Sequence, residues 1–153
     1  MAKLDETDLR IIEALQRDAH VTAQTLADSL HLSASQTGRR KQRLEQDGYI
    51  TGYRAQVDSA KLGLHVQAFV QVQTATHDPK THQAFLRLTR IQPQIIGAWT
   101  LTGEADYMLR ILCEDLAALN RLVQEILLPH PAVGRVQSQI VMQEIKSDAP
   151  VPL

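Results

Sequence analysis

The sequence is poor in cysteine and has no long apolar run. Its 153 residues include a single cysteine, Cys113, so the chain cannot form an internal disulfide. No stretch reaches the roughly 20 apolar residues that a membrane-spanning helix needs. The first residues also lack the apolar core of a signal peptide. These absences favour a cytoplasmic protein with no membrane partner.

Residue patterns that would support catalysis or a cofactor are missing as well. The six histidines are scattered without metal-binding spacing, and there is no glycine-rich phosphate loop. Cys113 falls in a predicted buried strand with no histidine close by, which favours a packed thiol over a nucleophile. Aromatic residues make up only 4%, so the stacking platforms of RNA-binding sheets are scarce. We therefore predict a protein that is not an enzyme and that has neither cofactor nor metal.

Charge of one sign does not dominate the chain, but it is concentrated locally. Lysine and arginine total 16 and aspartate and glutamate 17, so any nucleic-acid partner must be bound by a local basic surface. Arg39, Arg40, Lys41 and Arg43 fall within five residues. Taken alone, such a run is most simply the solvated face of a helix. Within a helix-turn-helix it favours DNA binding instead.

The N-terminal third of the chain follows the helical period and predicts three short helices. Thr22 is a plausible cap of the second helix. Ser33 and Gln36 have the spacing of a capping box, which predicts a third helix ending near Gln46, with Gly48 after it. Short helices with a tight turn before the third match a helix-turn-helix. The β-forming residues 49–57 predict a short strand or wing.

From about Gly63 the period changes to two. Alternating apolar residues predict four strands, the third over Tyr107–Cys113 and the last from about Gly134 to Ile145. Two helical patterns separate them, and Asp115 is the predicted cap of the second. The predicted order is β-α-β-β-α-β, the ferredoxin-like arrangement. We therefore predict an α+β protein with an N-terminal winged helix-turn-helix domain and linker over residues 1–60. A C-terminal ferredoxin-like domain follows over 61–147, and a flexible tail over 148–153.

Four ordered motifs span most of the chain. They are Leu4-Asp5-x-x-Asp8-x-x-Ile11-Ile12, Arg39-Arg40-x-x-Arg43-Leu44-Glu45, Gly48-Tyr49-Ile50-x-Gly52-Tyr53 and Thr102-Gly103-Glu104-Ala105-Asp106-Tyr107. The set resembles the Lrp/AsnC (feast/famine) family of bacterial and archaeal transcription regulators. The resemblance implies sequence-specific binding of double-stranded DNA. It also implies homodimers that assemble further, often to octamers, and a small-molecule effector that changes assembly or DNA affinity.

The predicted DNA-binding residues lie on and just before the third helix. Glutamine can pair with adenine and arginine with guanine, so Gln36, Arg39 and Arg40 are expected in the major groove and Arg43 on phosphate. Compared with the family, Gly38 and Lys41 replace residues that are usually apolar. Both are expected on the inner side of the helix, which leaves its seating open. The full predicted set is Ser33, Ser35, Gln36, Thr37, Arg39, Arg40 and Arg43.

The turn around Gly103 is the predicted effector site. Its plain interpretation is a β-hairpin turn. In the family, this region also lines a cleft between subunits where small effectors, typically amino acids, bind. Backbone amides near Gly103 could hold a carboxylate, and an acidic side chain could hold an ammonium group. The predicted residues are Thr102, Gly103, Glu104 and Asp106, with Val136 and Ser138 on a neighbouring strand as further candidates.

The sheet face away from the predicted helices is unusually apolar. A sheet face in contact with water is normally more polar, so this pattern favours a contact between subunits. A symmetric dimer would present two recognition helices to a roughly palindromic site. The predicted face contains Phe69, Trp99, Leu101, Met108, Leu112, Val141 and Ile145, mixed with Gln67, Gln71, Arg110 and Gln143.

Two other functions remain open from the sequence. Sirohaem decarboxylases share this two-part architecture, but they would need converging histidines or arginines and have no use for a basic recognition helix. An amino-acid sensor that no longer binds DNA is the second alternative, motivated by Gly38 and Lys41.

Overall fold

The computed structural model describes residues 3–76, 78–147 and 149–153. These divide into two compact units. The first is the chain up to Gln56 together with the C-terminal residues from Lys146, and the second is Val57–Ile145. The expected α+β class is confirmed, with helices in the first unit and a four-stranded sheet with helices in the second. No helix of the described residues is long and apolar enough to span a membrane.

Three capped helices form the first unit. They are α1 (Glu6–Arg17), α2 (Ala23–Leu30) and α3 (Ala34–Gln46). The predicted caps are confirmed: the Thr22 side chain accepts from the Thr25 N–H, and Ser33 and Gln36 form a capping box. His31 ends α2 in the left-handed conformation, with φ of 57°. The small core consists of Ile11, Leu15, Leu26 and Leu44.

The segment after α3 differs from the prediction. Gly48 leaves the helix with φ of 77°, as expected of a residue beyond a helix C-terminus. Residues 49–57, however, form no strand. A strand requires a hydrogen-bonded neighbour. Every strand of the described residues lies between Val66 and Ile140, so β-forming composition alone does not make residues 49–57 a strand.

The second unit is a sheet of four antiparallel strands in the order β2-β3-β1-β4. This order agrees with the predicted ferredoxin-like arrangement. The last helix continues from Arg121 into wider π-helical turns over Leu122–Leu127. The elements are β1 (Val66–Thr74), α4 (Pro79–Ile91), β2 (Ile95–Thr100), β3 (Tyr107–Cys113), α5 (Leu116–Arg121) and β4 (Val133–Ile140), preceded by a 3-10 turn at Ala60–Leu62.

The period-two pattern places one face of this sheet in the core. Val70, Leu109 and Ile111 are fully buried and belong to the same cluster as Phe85 of α4. Cys113 ends β3 on this face at 1% exposure. Burial, aided by the charges of Asp115 and Glu114, raises the pKa of its thiol. Cys113 is therefore a packed side chain held in its protonated form.

The C-terminal tail also differs from the prediction of a loose segment. The Val151 N–H donates to Gln16 Oε1 at 2.6 Å, and Gln16 Nε2 donates to the Val151 carbonyl oxygen at 3.2 Å. The tail consequently belongs to the helical unit rather than standing alone. A lack of periodicity predicts a loose segment, but a segment held by a distant side chain leaves no periodic signal in its own sequence.

Candidate functional site

The exposed face of α3 is polar and carries a cation. Residues three, four and seven positions apart share one helix face. Ser35, Arg39, Gln42 and Gln46 have this relation, and all four are exposed. Arg39 forms no ion pair with any residue that the structure describes. This face can therefore offer hydroxyl, amide and guanidinium groups to a ligand without first breaking an internal contact.

Arg40 and Arg43 are instead engaged with α1. Asp8 is 1% exposed, and its two carboxylate oxygens accept from Arg40 Nη1 at 2.8 Å and from Arg43 Nη2 at 2.5 Å. Asp5 accepts from the same Arg40 nitrogen at 2.7 Å. We call Asp5, Asp8, Arg40 and Arg43 the ion cluster. It joins the start of α1 to the middle of α3, so both arginines contribute to holding the helix in place.

The ion cluster changes the pKa of two of its members, Asp5 and Arg40. The pKa of Asp5 is lowered, first by the hydrogen bond from the Asp8 backbone N–H and then by the bond from Arg40. The pKa of Arg40 is raised by its hydrogen bonds to Asp5 and Asp8. Both directions favour the charged forms. The side chain of Arg43 remains 41% exposed, so part of its guanidinium is open to solvent.

Three other predicted DNA-binding residues build the start of α3. The Ser33 hydroxyl accepts from the Gln36 N–H, while Gln36 Oε1 accepts from the Ser33 N–H at 3.2 Å. Thr37 is fully buried, and its hydroxyl donates to the Ser33 carbonyl at 3.1 Å. Ser33 and Gln36 are exposed but occupied in capping, and Thr37 faces the core. Of the seven predicted residues, Ser35 and Arg39 lie on the exposed face and take no part in the capping box, the core or the ion cluster.

Gly38 and Lys41 do not share one environment. A Cβ placed on Gly38 would have no neighbouring atom within 4 Å, so this position borders open space. The expectation that Gly38 lies on the inner side is therefore wrong, because helix geometry sets it about 120° from Leu44 around the axis. Lys41 places its ammonium 5.1 Å from the centre of the Tyr53 ring, a cation–π contact. Lysine at 41 is thus accommodated by an aromatic partner.

The predicted effector turn is fastened to β1 through Asp106. Asp106 Oδ2 accepts from the Thr74 N–H at 2.6 Å and from the Thr74 hydroxyl at 2.7 Å. Gly103 has φ of 116°, a conformation that residues with a side chain rarely adopt. Thr102, Gly103 and Glu104 are exposed. The turn is therefore a shaped loop with an exposed acidic group, and Asp106 is partly occupied in holding it.

Glu104 borders a shallow recess on the open face of the sheet. The recess is lined by Gln71, Gln73, Glu104, Ala105, Arg135 and Gln137. It brings a carboxylate and a guanidinium to one place, amid three amides. The effector site predicted from the sequence does not include Arg135 or the three glutamines. The period-two pattern could have placed these residues together on the open face of the sheet. In the structure β1 and β4 pair Gln71 with Gln137 and Gln73 with Arg135.

Val136 and Ser138 are not part of this recess. They line a different depression, together with Leu116, Leu119 and Val123 of the α5 region. Successive residues of a strand point to opposite faces, so 135 and 137 lie on the open face and 136 and 138 on the helix side. Within one chain, the structure therefore separates Val136 and Ser138 from Glu104.

The open face of the sheet combines apolar and polar groups as predicted. Phe69, Met108 and Leu112 are partly exposed there, and Trp99 is 50% exposed. Trp99 lies across Gly97, where an added Cβ would come within 2.6 Å of the indole ring. Arg110 contacts Gln67 and Glu144 at 3.4 Å. In the chain alone, this apolar surface is open to solvent.

Comparison with known proteins agrees with this anatomy. Residues 4–51 match a family model for winged helix-turn-helix DNA-binding domains, and residues 67–151 match one for the Lrp/AsnC ligand-binding domain. The Bkd operon transcriptional regulator of Pseudomonas aeruginosa is 33% identical over 153 residues, covering 100% of both chains. The DNA-binding transcriptional activator DecR of Escherichia coli is 29% identical, covering 98% of this chain and 99% of DecR.

Solved structures give the same result. A transcriptional regulator of Neisseria meningitidis in complex with L-methionine superposes with a TM-score of 0.94 at 32% identity, covering 98% of this chain and 97% of that one. An AsnC family regulator of Agrobacterium tumefaciens gives 0.90 at 28% identity, covering 97% of each chain. The architecture, both family models and these relatives agree: the chain belongs to the Lrp/AsnC family of transcriptional regulators.

Proposed function

We propose that this protein is a transcriptional regulator that binds duplex DNA through α3 and responds to an amino acid. The DNA-binding part of the proposal rests on one observation, that some residues of α3 hold the helix in place while others are exposed. The ion cluster, the capping box and buried Leu44 fix the helix, while Ser35, Arg39 and Gln42 are exposed to solvent. A rigid helix with an exposed cation and hydrogen-bonding groups suits the major groove.

The predicted DNA-binding residues then have two kinds of role. Ser35 and Arg39 contact base edges or phosphates directly. Arg40 and Arg43 position the helix, and the exposed part of Arg43 remains available to a phosphate. Ser33, Gln36 and Thr37 shape the helix N-terminus that approaches the groove. Phosphate contacts by several such groups would make the affinity fall steeply with salt.

A mobility-shift assay with the DNA upstream of the protein's own gene tests this proposal. Arg39→Ala should weaken binding by about tenfold, the loss expected for one base-contacting arginine. The matched control is Arg17→Ala, which removes one positive charge from the same unit at an exposed position on α1. Equal affinity of Arg39→Ala and the parent would refute the assignment. No retardation of folded protein at low salt would instead favour a sensor that does not bind DNA.

Arg40→Ala separates positioning from contact. It should weaken DNA binding without changing the dimer, and it should also lower the melting temperature because Asp8 loses a partner. Arg39→Ala should leave the melting temperature unchanged. If Arg40→Ala weakens binding with no loss of thermal stability, Arg40 contacts DNA directly and the positioning role is wrong.

The effector part of the proposal rests on the recess beside Glu104. An amino acid carries an ammonium group and a carboxylate, which complement Glu104 and Arg135. The Neisseria relative is described as a complex with L-methionine, which supports the same ligand class here. A ligand can shift this regulator only through different affinities for two states of its assembly.

A melting screen against the common amino acids tests the effector site. One or more should raise the melting temperature of the parent, since a ligand that binds only the folded state stabilises it. Glu104→Gln should abolish that rise while leaving the unliganded melting temperature unchanged. Asp106→Ala should abolish it as well, but with a lower unliganded melting temperature because the bonds to Thr74 are lost. A flat response of the parent to every amino acid would refute the proposal.

We further propose that the active form is a homodimer, with assembly to an octamer, acting in the cytoplasm. The exposed apolar groups on the open face of the sheet support self-association. Two copies related by a two-fold axis would present paired α3 helices to successive major grooves.

A further inference from the structure

An apolar groove lies on the helical unit, away from the exposed face of α3. It has a volume of about 350 Å³. Leu4 and three residues of α1 line it, together with the segment that follows α3 and two residues of the C-terminal tail. None of these side chains is charged. The lining residues are Leu4, Ile12, Leu15, Gln16, Tyr49, Ile50, Thr51, Gly52, Tyr53, Val151 and Leu153.

We propose that this groove is a binding site for an extended peptide and that its ligand is the chain's own C-terminal segment, Ala149–Leu153. The proposal stands on contacts of the helical unit alone. It does not depend on DNA or effector binding. It would hold even if the function proposed above were wrong.

The first argument is the geometry at Gln16. Its side-chain amide uses its oxygen and its nitrogen at once, accepting from the Val151 N–H at 2.6 Å and donating to the Val151 carbonyl at 3.2 Å. A neighbouring β-strand satisfies an extended residue in the same two-bond manner. Ile12, Leu15 and Gln16 share one face of α1, so the amide stands beside the apolar wall of the groove.

The second argument is the composition of the tail. Ala149-Pro150-Val151-Pro152-Leu153 has no charged side chain, which fits an uncharged groove. The two prolines fix φ and lack an N–H, so little backbone freedom is lost on docking. Val151 and Leu153 carry the only backbone N–H groups from Pro150 onward, and Gln16 accepts the one from Val151. Both side chains remain more than half exposed, so the tail lies on the rim of the groove rather than deep in it.

The docked tail contacts α1, the helix whose first residues hold α3. α1 carries Gln16 near its end and Asp5 and Asp8 at its start, and those two carboxylates hold α3 through the ion cluster. The tail and α3 are therefore both held by this one helix.

Amide hydrogen exchange of the full-length protein, read by mass spectrometry on the C-terminal peptide, tests the docking. Val151 should exchange at least tenfold more slowly than in an unstructured peptide of the same sequence. Gln16→Ala should remove this protection. The matched control is Gln24→Ala, which deletes the amide of an exposed helical glutamine bonded only to Asp28, and it should leave Val151 protected.

A second variant guards against an effect of Gln16→Ala on folding. Leu153→Glu changes the tail itself and places a charge at the uncharged groove, so it should also release Val151 while the helical unit stays folded. Unprotected Val151 in the parent would overturn the proposal. So would Val151 exchange in both Gln16→Ala and Leu153→Glu that is as slow as in the parent.

Discussion

At the scale of single residues, Asp8 is the most consequential side chain of the helical unit. It is a carboxylate at 1% exposure, and burial of such a charge is tolerated only with partners that satisfy it. Arg40 and Arg43 provide them, and the Asp5 N–H donates to Asp8 Oδ2 at 3.2 Å. Asp8 therefore completes the capping box of α1, in which Asp5 is the N-cap, and it also holds α3 in place.

Replacing Asp8 should be costly. Asp8→Ala leaves two guanidinium groups without their shared acceptor and breaks the capping box. Because both arginines are partly exposed and can be rehydrated, we expect a loss of about 2–3 kcal/mol in the free energy of unfolding. Urea denaturation measures it. Glu13→Ala, which breaks an exposed pair with Arg17, should cost at most about 0.5 kcal/mol. Similar losses for the two variants would contradict the role given to Asp8.

Hydrogen bonds between neighbours in sequence could be predicted, whereas those between distant residues could not. The caps at Thr22 and Ser33 were predictable, because each partner lies three residues away and local spacing encodes the bond. The partners of Arg40 and Asp106 were not, since Asp8 and Thr74 each lie 32 residues from them. The local sequence around a helical arginine is the same whether its guanidinium faces solvent or pairs with a buried carboxylate.

At the scale of elements, α3 is destabilised by a glycine, Gly38, near its centre. Gly38 lies in a helix interior with open space where a Cβ would stand. Glycine there gives up more conformational entropy than alanine without relieving a clash. The contrasting position is Gly48, whose φ of 77° favours glycine, also with open space around it.

These two glycines should respond oppositely to the same substitution. Gly38→Ala should raise the free energy of unfolding by about 0.5–1 kcal/mol. Gly48→Ala should lower it by about 1–2 kcal/mol, because alanine is strained in the left-handed region. Thermal unfolding of the two variants against the parent measures both effects. Destabilisation by Gly38→Ala would mean that the helix packs more tightly around residue 38 than the structure shows.

Elements were predictable where period and capping agreed. β3 (Tyr107–Cys113) has the bounds that alternation predicted, and the helix from Asp115 begins at its predicted cap. β4 ends at Ile140, although alternation suggested a strand to about 145. The last residue pair of β1 and β4 is Ala68 with Ile140, and beyond it the Val141 N–H still donates to the Gln67 carbonyl oxygen at 2.9 Å without extending the strand. The sequence of β4 itself does not contain that limit.

At the scale of the whole molecule, the open face of the sheet is the surface that a single chain leaves uncovered. Its apolar groups alternate with glutamines and Arg110, a mixture typical of contacts between subunits. Strand parity alone assigns Phe69, Trp99, Met108 and Leu112 to this surface, whereas the predicted members Leu101, Val141 and Ile145 lie outside the strands. Parity does not reveal which copy or partner covers it.

A charge in the middle of this face should break self-association. Phe69→Glu is expected to convert dimers to monomers, since an unpaired carboxylate would be buried between the sheets. Light scattering coupled to gel filtration measures the mass. The control is Ile91→Glu, an equally drastic change on the helix side, where Ile91 is 73% exposed. A monomeric parent, or a Phe69→Glu protein of unchanged mass, would contradict the assignment of the interface.

The buried thiol of Cys113 has a practical consequence for all of these experiments. It is the chain's single cysteine, and burial together with a raised pKa protects it from thiol-reactive reagents. A new cysteine on the outer side of α3, or at the C-terminus, would then be the sole site of maleimide or nitroxide attachment. Distances and mobilities could be followed in the native sequence background, with no need to replace Cys113.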